Sequence, residues 1–141
     1  MTFWDSSAIV PLIVSESNSE DVLAFLDRDP VMIVWWGTPV ECAPALARRE
    51  RTGDLSAEAT SQAILRLNAL SAAWHEVNPS EAIRIVAVRI LRVHPLRSAD
   101  ALQLAAAIIA AEQEPQTLEF LTLDERLRVA AEKEGFSISG L

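Results

Sequence analysis

The chain alternates between short apolar runs and longer stretches whose apolar residues recur at helical spacing. Thr2-Phe3-Trp4 reads as a strand that Asp5 ends. Ser6-Ser7 offers an N-cap for a helix with Ala8, Ile9, Leu12 and Ile13 on its apolar face, and Pro11 makes that helix short or bent. Ser19 to Leu26 predicts a second helix, with Val22, Leu23, Phe25 and Leu26 inward, closed by the polar turn Asp27 to Pro30. Val31 to Val34 is a β-rich run, and Trp35 and Trp36 after it read as packing residues. Thr38 as cap and Pro39 at the first helical position then open a helix that runs to about Arg51 and stops at Gly53. A long helix from Ser56 to Ala73 follows, with Ile64, Leu65, Leu67 and Leu70 inward. The short polar loop between these two helices predicts an antiparallel hairpin. Trp74 to Val77 is a brief strand, and Ser80 to Leu91 a helix with Ile83, Val86, Ala87, Ile90 and Leu91 on one side.

From Ala101 to Ala111 the chain is almost wholly Ala, Leu and Ile, the signature of a buried helix, yet Asp100 sits in its first turn with Ser98 as the expected cap. After a polar break from Glu112 to Thr117 come a strand (Leu118–Thr122), Asp124 as the cap of a helix over Glu125–Glu134, Gly135 as its stop, and a last strand at Phe136–Ile138. Strands alternate with helices along the whole chain. That pattern predicts an α/β layered fold with a parallel sheet, as one domain over residues 1–141.

Four acids share a placement: Asp5, Glu41, Asp100 and Asp124 each fall at a strand end or in the first turn of a helix. Each has an ordinary reading, since carboxylates favour helix N-termini. In right-handed βαβ units, however, those positions lie on one edge of the sheet, where open α/β folds bind ligands. Four carboxylates in one cleft repel each other unless a cation neutralises them. An all-oxygen donor set suits Mg²⁺ or Mn²⁺, and water attack on a phosphodiester is the chemistry such ions support.

Composition narrows this further. Half of the 141 residues are hydrophobic, enough for a packed core. No apolar run approaches the roughly 20 residues of a membrane span, and no leader-like segment opens the sequence, so a cytoplasmic protein without a membrane partner is expected. Cys42 is the lone cysteine, which excludes an internal disulfide and a cysteine-rich zinc site. The net charge of −8 argues against a generally basic nucleic-acid surface. Of the twelve basic residues only Lys133 is lysine, so arginine forks for phosphate are available. His75 and His94 lack a ligand pattern and read as structural.

Four segments, in order, carry a resemblance: Phe3-Trp4-Asp5-Ser6-Ser7-Ala8-Ile9-Val10; Val40-Glu41 leading into Ala45-Leu46-Ala47-Arg48-Arg49; Leu96 to Ala105; and Phe120-Leu121-Thr122-Leu123-Asp124-Glu125-Arg126-Leu127. Together they resemble the PIN-domain family, in particular the VapC-type toxins of bacterial type II toxin–antitoxin pairs. The resemblance implies a parallel sheet sandwiched by helices in three layers, and Mg²⁺- or Mn²⁺-dependent endoribonuclease activity. It implies Asp5, Glu41, Asp100 and Asp124 as catalytic and metal-binding acids. Asp5 and Asp100 would hold the principal ion, with Ser6 and Thr122 as polar neighbours of the first and last acids. Arg97, the arginine nearest an acid in sequence, is a candidate for phosphate. The sequence departs from the family at Gln103, where many relatives have His one turn beyond the acid.

The same resemblance implies an RNA substrate, a cognate antitoxin and a homodimer. The apolar surplus of the Thr38–Ala73 helices is where the sequence places both self-association and an antitoxin groove. A PIN nuclease of RNA processing without an antitoxin, and a non-catalytic PIN scaffold, are the alternatives. A phospho-acceptor receiver domain fits poorly: Asp5 has no acidic neighbour, and Lys133 lies within a helix.

Overall fold

A computed structural model describes residues 1–141. In chain order the elements are β1 (Thr2–Trp4), α1 (Ser6–Ile13), α2 (Ser19–Arg28), β2 (Met32–Trp35), α3 (Thr38–Thr52), α4 (Ala57–Ala73), β3 (His75–Val77), α5 (Glu81–Val93), α6 (Ser98–Ala110), a 3₁₀ turn (Pro115–Thr117), β4 (Glu119–Leu121), α7 (Glu125–Glu134) and β5 (Ser137–Ile138). The five strands form one sheet in the order β3-β2-β1-β4-β5, every pairing parallel. β1 is central. Thr2, Phe3 and Trp4 pair with Met32, Ile33 and Val34 on one side and with Glu119, Phe120 and Leu121 on the other. A central parallel strand is covered on both faces, and all three β1 residues are buried.

The pleat sorts side chains into two cores. Phe3, Ile33 and Phe120 point to the face covered by α5, α6 and α7. Trp4, Met32, Val34 and Leu121 point to the face covered by α1 to α4. The result is helix, sheet, helix: three layers, as the alternation of elements predicts. α6 sits deep in the first core, and the methyls of Ala101, Ala105, Ala106 and Ala107, all 0% exposed, let it approach its neighbours closely.

Helix ends differ from expectation at four places. Asp5 itself caps α1, and Ser6 and Ser7 are its first residues. Gly37, not Thr38, precedes α3; a Cβ at Gly37 would lie 2.6 Å from Trp35 Nε1, so the chain can turn there only without a side chain. Arg97 rather than Ser98 precedes α6. Ser56 and Asp124 cap α4 and α7 through the backbone N–H of Ala59 and Leu127, and Ser80, expected as the first residue of its helix, is instead the cap of α5, bonded to the Ile83 N–H. Pro11 lies inside α1, which continues two residues beyond it.

Several residues expected inward are outward. α4 buries the stripe Thr60, Ala63 and Leu67, which turns Ile64 and Leu65 toward solvent. α2 buries Val22 and Phe25, leaving Leu23 exposed. α5 buries Ile83, Val86, Ala87 and Ile90 and exposes Leu91. A helix advances about 100° per residue, so a neighbour of a buried position lies a quarter-turn or more away from it. Trp35 packs in the core, but Trp36 is 54% exposed. No helix is long and apolar enough to cross a membrane.

Candidate active site

The strand order reverses at β1: β2 and β3 lie to one side, β4 and β5 to the other. A crevice opens where such a sheet switches direction. Asp5 leaves β1 at this point, its N–H bonded to the Leu121 carbonyl at 3.2 Å. Its Oδ2 accepts the Ser7 N–H (3.3 Å) and its Oδ1 the Ser7 hydroxyl (2.7 Å). Ser7 Oγ also lies 3.2 Å from Thr122 Oγ1 and accepts the Leu123 N–H at 2.8 Å. Thr122 Oγ1 accepts the Asp124 N–H at 3.0 Å, and Asp124 Oδ1 accepts that of Leu127 at 2.9 Å, starting α7. Two hydroxyls thus stitch the end of β1 to the end of β4 and hold the two aspartates in register.

The other two acids come from opposite layers. Glu41 stands in the first turn of α3; its Oε1 accepts from Ser6 Oγ (3.3 Å) and its Oε2 from Gln103 Nε2 (3.2 Å). Asp100 stands in the first turn of α6, beside Arg97. Glu41, Asp100, Asp124, Ser6, Arg97 and Arg126 line one cleft of about 700 Å³, with Pro44, Ala99 and Glu125 completing the wall. Asp5 is 3% exposed and lies behind that wall.

Burial pushes the Asp5 carboxyl up to about 7; the Ser7 and Thr122 hydrogen bonds oppose this, and the charge of Asp124 adds to it. Glu41 is raised by burial and by Asp100, against the bonds from Gln103 and Ser6. Asp100 is raised by burial and by Asp124, and the charges of Arg97 and Arg126 pull the other way. The charge of Asp124 thus makes Asp5 and Asp100 harder to ionise, and that of Asp100 does the same to Glu41. Cys42, between Glu41 and the core, has its thiol pushed up to about 12 by burial and by the charges of Glu41 and Asp5. It is a filler rather than a nucleophile.

No three of the acids, histidines and the thiol converge as a ready-made metal cage. Mg²⁺ does not need one, because it keeps several waters and binds through one or two carboxylates. The donor set here is carboxylates and hydroxyls, without sulfur or imidazole, and its like charges are relieved by a cation. These residues fit a hydrated hard divalent ion.

The structure brings Glu41, Asp100, Asp124, Ser6 and Arg97 to one cleft, with Asp5 beneath it and Thr122 beside Asp5 and Asp124. Sequence reasoning misses Ser7, the actual partner of Asp5; the signal available is its place two residues after a capping Asp, where that side chain bonds. It also misses Arg126, two residues after Asp124 on the first turn of α7.

A sequence profile described as "PIN domain" matches residues 2–133. The chain therefore belongs to the PIN-domain family: a parallel sheet between helical layers, with acids gathered where the strand order reverses. Solved structures with this fold include FitAcB from Neisseria gonorrhoeae, 18% identical over 99% of this chain and 97% of that one, with TM-score 0.66. VapC20 from Mycobacterium tuberculosis, described as a Sarcin-Ricin loop cleaving toxin, is 17% identical over 96% of each chain, with TM-score 0.64. A toxin–antitoxin complex from Klebsiella pneumoniae is 16% identical over 88% of this chain and 87% of that one, with TM-score 0.62. A search of curated protein sequences returns no match.

Proposed function

We propose that this protein is a Mg²⁺- or Mn²⁺-dependent endoribonuclease, the toxin of a toxin–antitoxin pair. The observation that carries the reading is the cleft itself: Glu41, Asp100 and Asp124 line it, Asp5 underlies it, and Arg97 and Arg126 flank it. The fold neighbours include one described as a Sarcin-Ricin loop cleaving toxin and one described as a toxin–antitoxin complex. A divalent cation bound there supplies Lewis acidity toward a phosphodiester and its attacking water. The chain's own residues do the rest. Asp5 and Asp100 would hold the ion directly, and Asp124 would complete its shell through water. Glu41 would complete the shell of the ion with Asp124 and orient the attacking water. Arg97 and Arg126 pair with phosphate oxygens, a local basic contact that a net charge of −8 does not forbid.

The antitoxin helix would lie along the α3–α4 hairpin, where α4 meets α1 and α2. A groove runs between the end of α1, α2 and α4, with Leu12, Ile13, Val14, Leu23, Leu55 and Ala59 along it and Arg66 at its side. An amphipathic helix fits such a trough, and a basic tail beyond it reaches the acids by charge. For the homodimer, α5 offers Ile85, Val88, Leu91 and Val93 exposed on one helix, a second apolar surface beside Val40, Ile64 and Leu65 of the α3–α4 hairpin.

The test is purified protein with RNA and Mn²⁺ or Mg²⁺. Cleavage is expected, with loss in chelator and a fall of at least about a hundredfold in Asp100→Asn, the scale of losing one well-placed electrostatic group. Full cutting in chelator or in Asp100→Asn overturns the nuclease assignment. Cleavage without rescue of growth by any co-encoded partner favours an RNA-processing enzyme over a toxin.

A further inference from the structure

Gln103 projects from the second turn of α6 and is 0% exposed. Its Nε2 donates twice, to Thr38 Oγ1 at 2.9 Å and to Glu41 Oε2 at 3.2 Å. Thr38 is also 0% exposed. Glu41 is thereby held at both oxygens, one bonded from α1 through Ser6 and the other from α6 through Gln103. The Gln103 carbonyl, Oε1, is buried with no hydrogen-bond partner. Reversing the amide does not mend this. It would set a carbonyl oxygen against the ionised Glu41 oxygen and strand the NH₂ group in the core.

A buried orphan carbonyl is costly, and a Met of similar length would fill the space without it. Every other buried position of α6 is Ala, Leu or Ile. Packing alone therefore gives no reason for an amide here, whereas its two acceptors do. A free glutamate on a helix turn samples several rotamers, and ordering it costs entropy when a ligand arrives. The Gln103 amide removes that freedom in advance, from a helix that also carries Asp100.

We propose that Gln103 is a positioning residue. Anchored by Thr38, its amide fixes the Glu41 carboxylate on the cleft so that α3 and α6 present their acids to one cation in a set geometry. This rests on the reading of the cleft as a cation site, and Mn²⁺ is the probe.

Two measurements on the whole protein decide it. In the metal-free protein, the Gln103 side-chain NH₂ resonances should be protected from solvent exchange and should shift in Glu41→Ala. Freely exchanging resonances, or resonances indifferent to Glu41→Ala, overturn the proposal. Calorimetric titration with Mn²⁺ then compares the wild type with Thr38→Val/Gln103→Met, which removes the hydrogen-bonded pair and the orphan carbonyl at nearly constant volume. Affinity should fall roughly 10- to 100-fold, the usual loss when an outer partner of a metal ligand is removed. The thermal midpoint in chelator should stay at or above the wild-type value. In a Glu41→Ala background the same two substitutions should cause no further loss. Unchanged affinity in the folded double variant, or an equal loss without Glu41, overturns the proposal. Wild-type protein that takes up no Mn²⁺ overturns the cation-site reading alone, and the NH₂ resonances then decide whether Gln103 holds Glu41.

Discussion

Asp5 shows what a single residue contributes and costs. Its carboxyl is buried, doubly bonded by Ser7, and pushed up to about 7, while an unfolded chain returns it to the ordinary value of 3.8. Between those values the folded state binds more protons than the unfolded one, so stability falls as pH rises from about 4 to about 7 and levels off above. The loss amounts to roughly 4 kcal/mol at most, from about 1.4 kcal/mol per unit. Asn keeps the volume and is an equally good cap. Asp5→Asn should therefore melt higher than wild type at pH 8 in chelator, with the gain shrinking toward pH 4.5; circular dichroism melts across that range read it directly. Mn²⁺ should raise the wild-type midpoint at pH 8 and leave Asp5→Asn nearly unmoved, because only the wild type gains a bound ligand. A wild type that is more stable at pH 8 than at pH 5 in chelator would contradict this account of Asp5.

At the scale of elements, two of the four acids serve twice. Asp5 and Asp124 are helix caps as well as site groups. Asp124→Ala should cost about 1 kcal/mol of stability by losing the bond to the Leu127 N–H, while Asp124→Asn costs little. Both should lose RNA cleavage, and denaturant titration separates them. This double use explains what was legible in the sequence. Strands such as Thr2–Trp4 and a cap such as Asp124 follow from local chemistry, so reading them needs no tertiary information. Thr38 is different: it has the composition of a cap, but its hydroxyl serves Gln103, a partner 65 residues away. Ser7 and Arg126 join the site through chain ends that meet only in the folded sheet, which no local pattern encodes. Ile64, Leu65 and Leu91 were misplaced because the face a helix buries depends on its neighbours as well as on its own apolar residues.

For the whole molecule, two cores on either side of one sheet leave the switch point at β1 as the open edge where the acids meet. The exposed apolar residues of α5 belong to neither core. Ile85→Glu combined with Val88→Glu should therefore spare the fold, since both residues are more than half exposed, and should convert a dimer to monomer in light scattering. A dimer unaffected by both changes places self-association elsewhere. The same sheet order has a consequence for synthesis. β1, made before the other four strands of the sheet, becomes the central one, and it cannot be flanked on both sides until β4 exists. Ser7 and Thr122, whose hydroxyls join the two halves of the cleft, are 115 positions apart. A ribosome making this chain therefore carries Asp5 through the synthesis of all the intervening elements with nothing to pair it to Asp124. If the cleft cuts RNA, the translation machinery is shielded from its own product until β4 and Asp124 have been made, and fragments ending before β4 should be harmless.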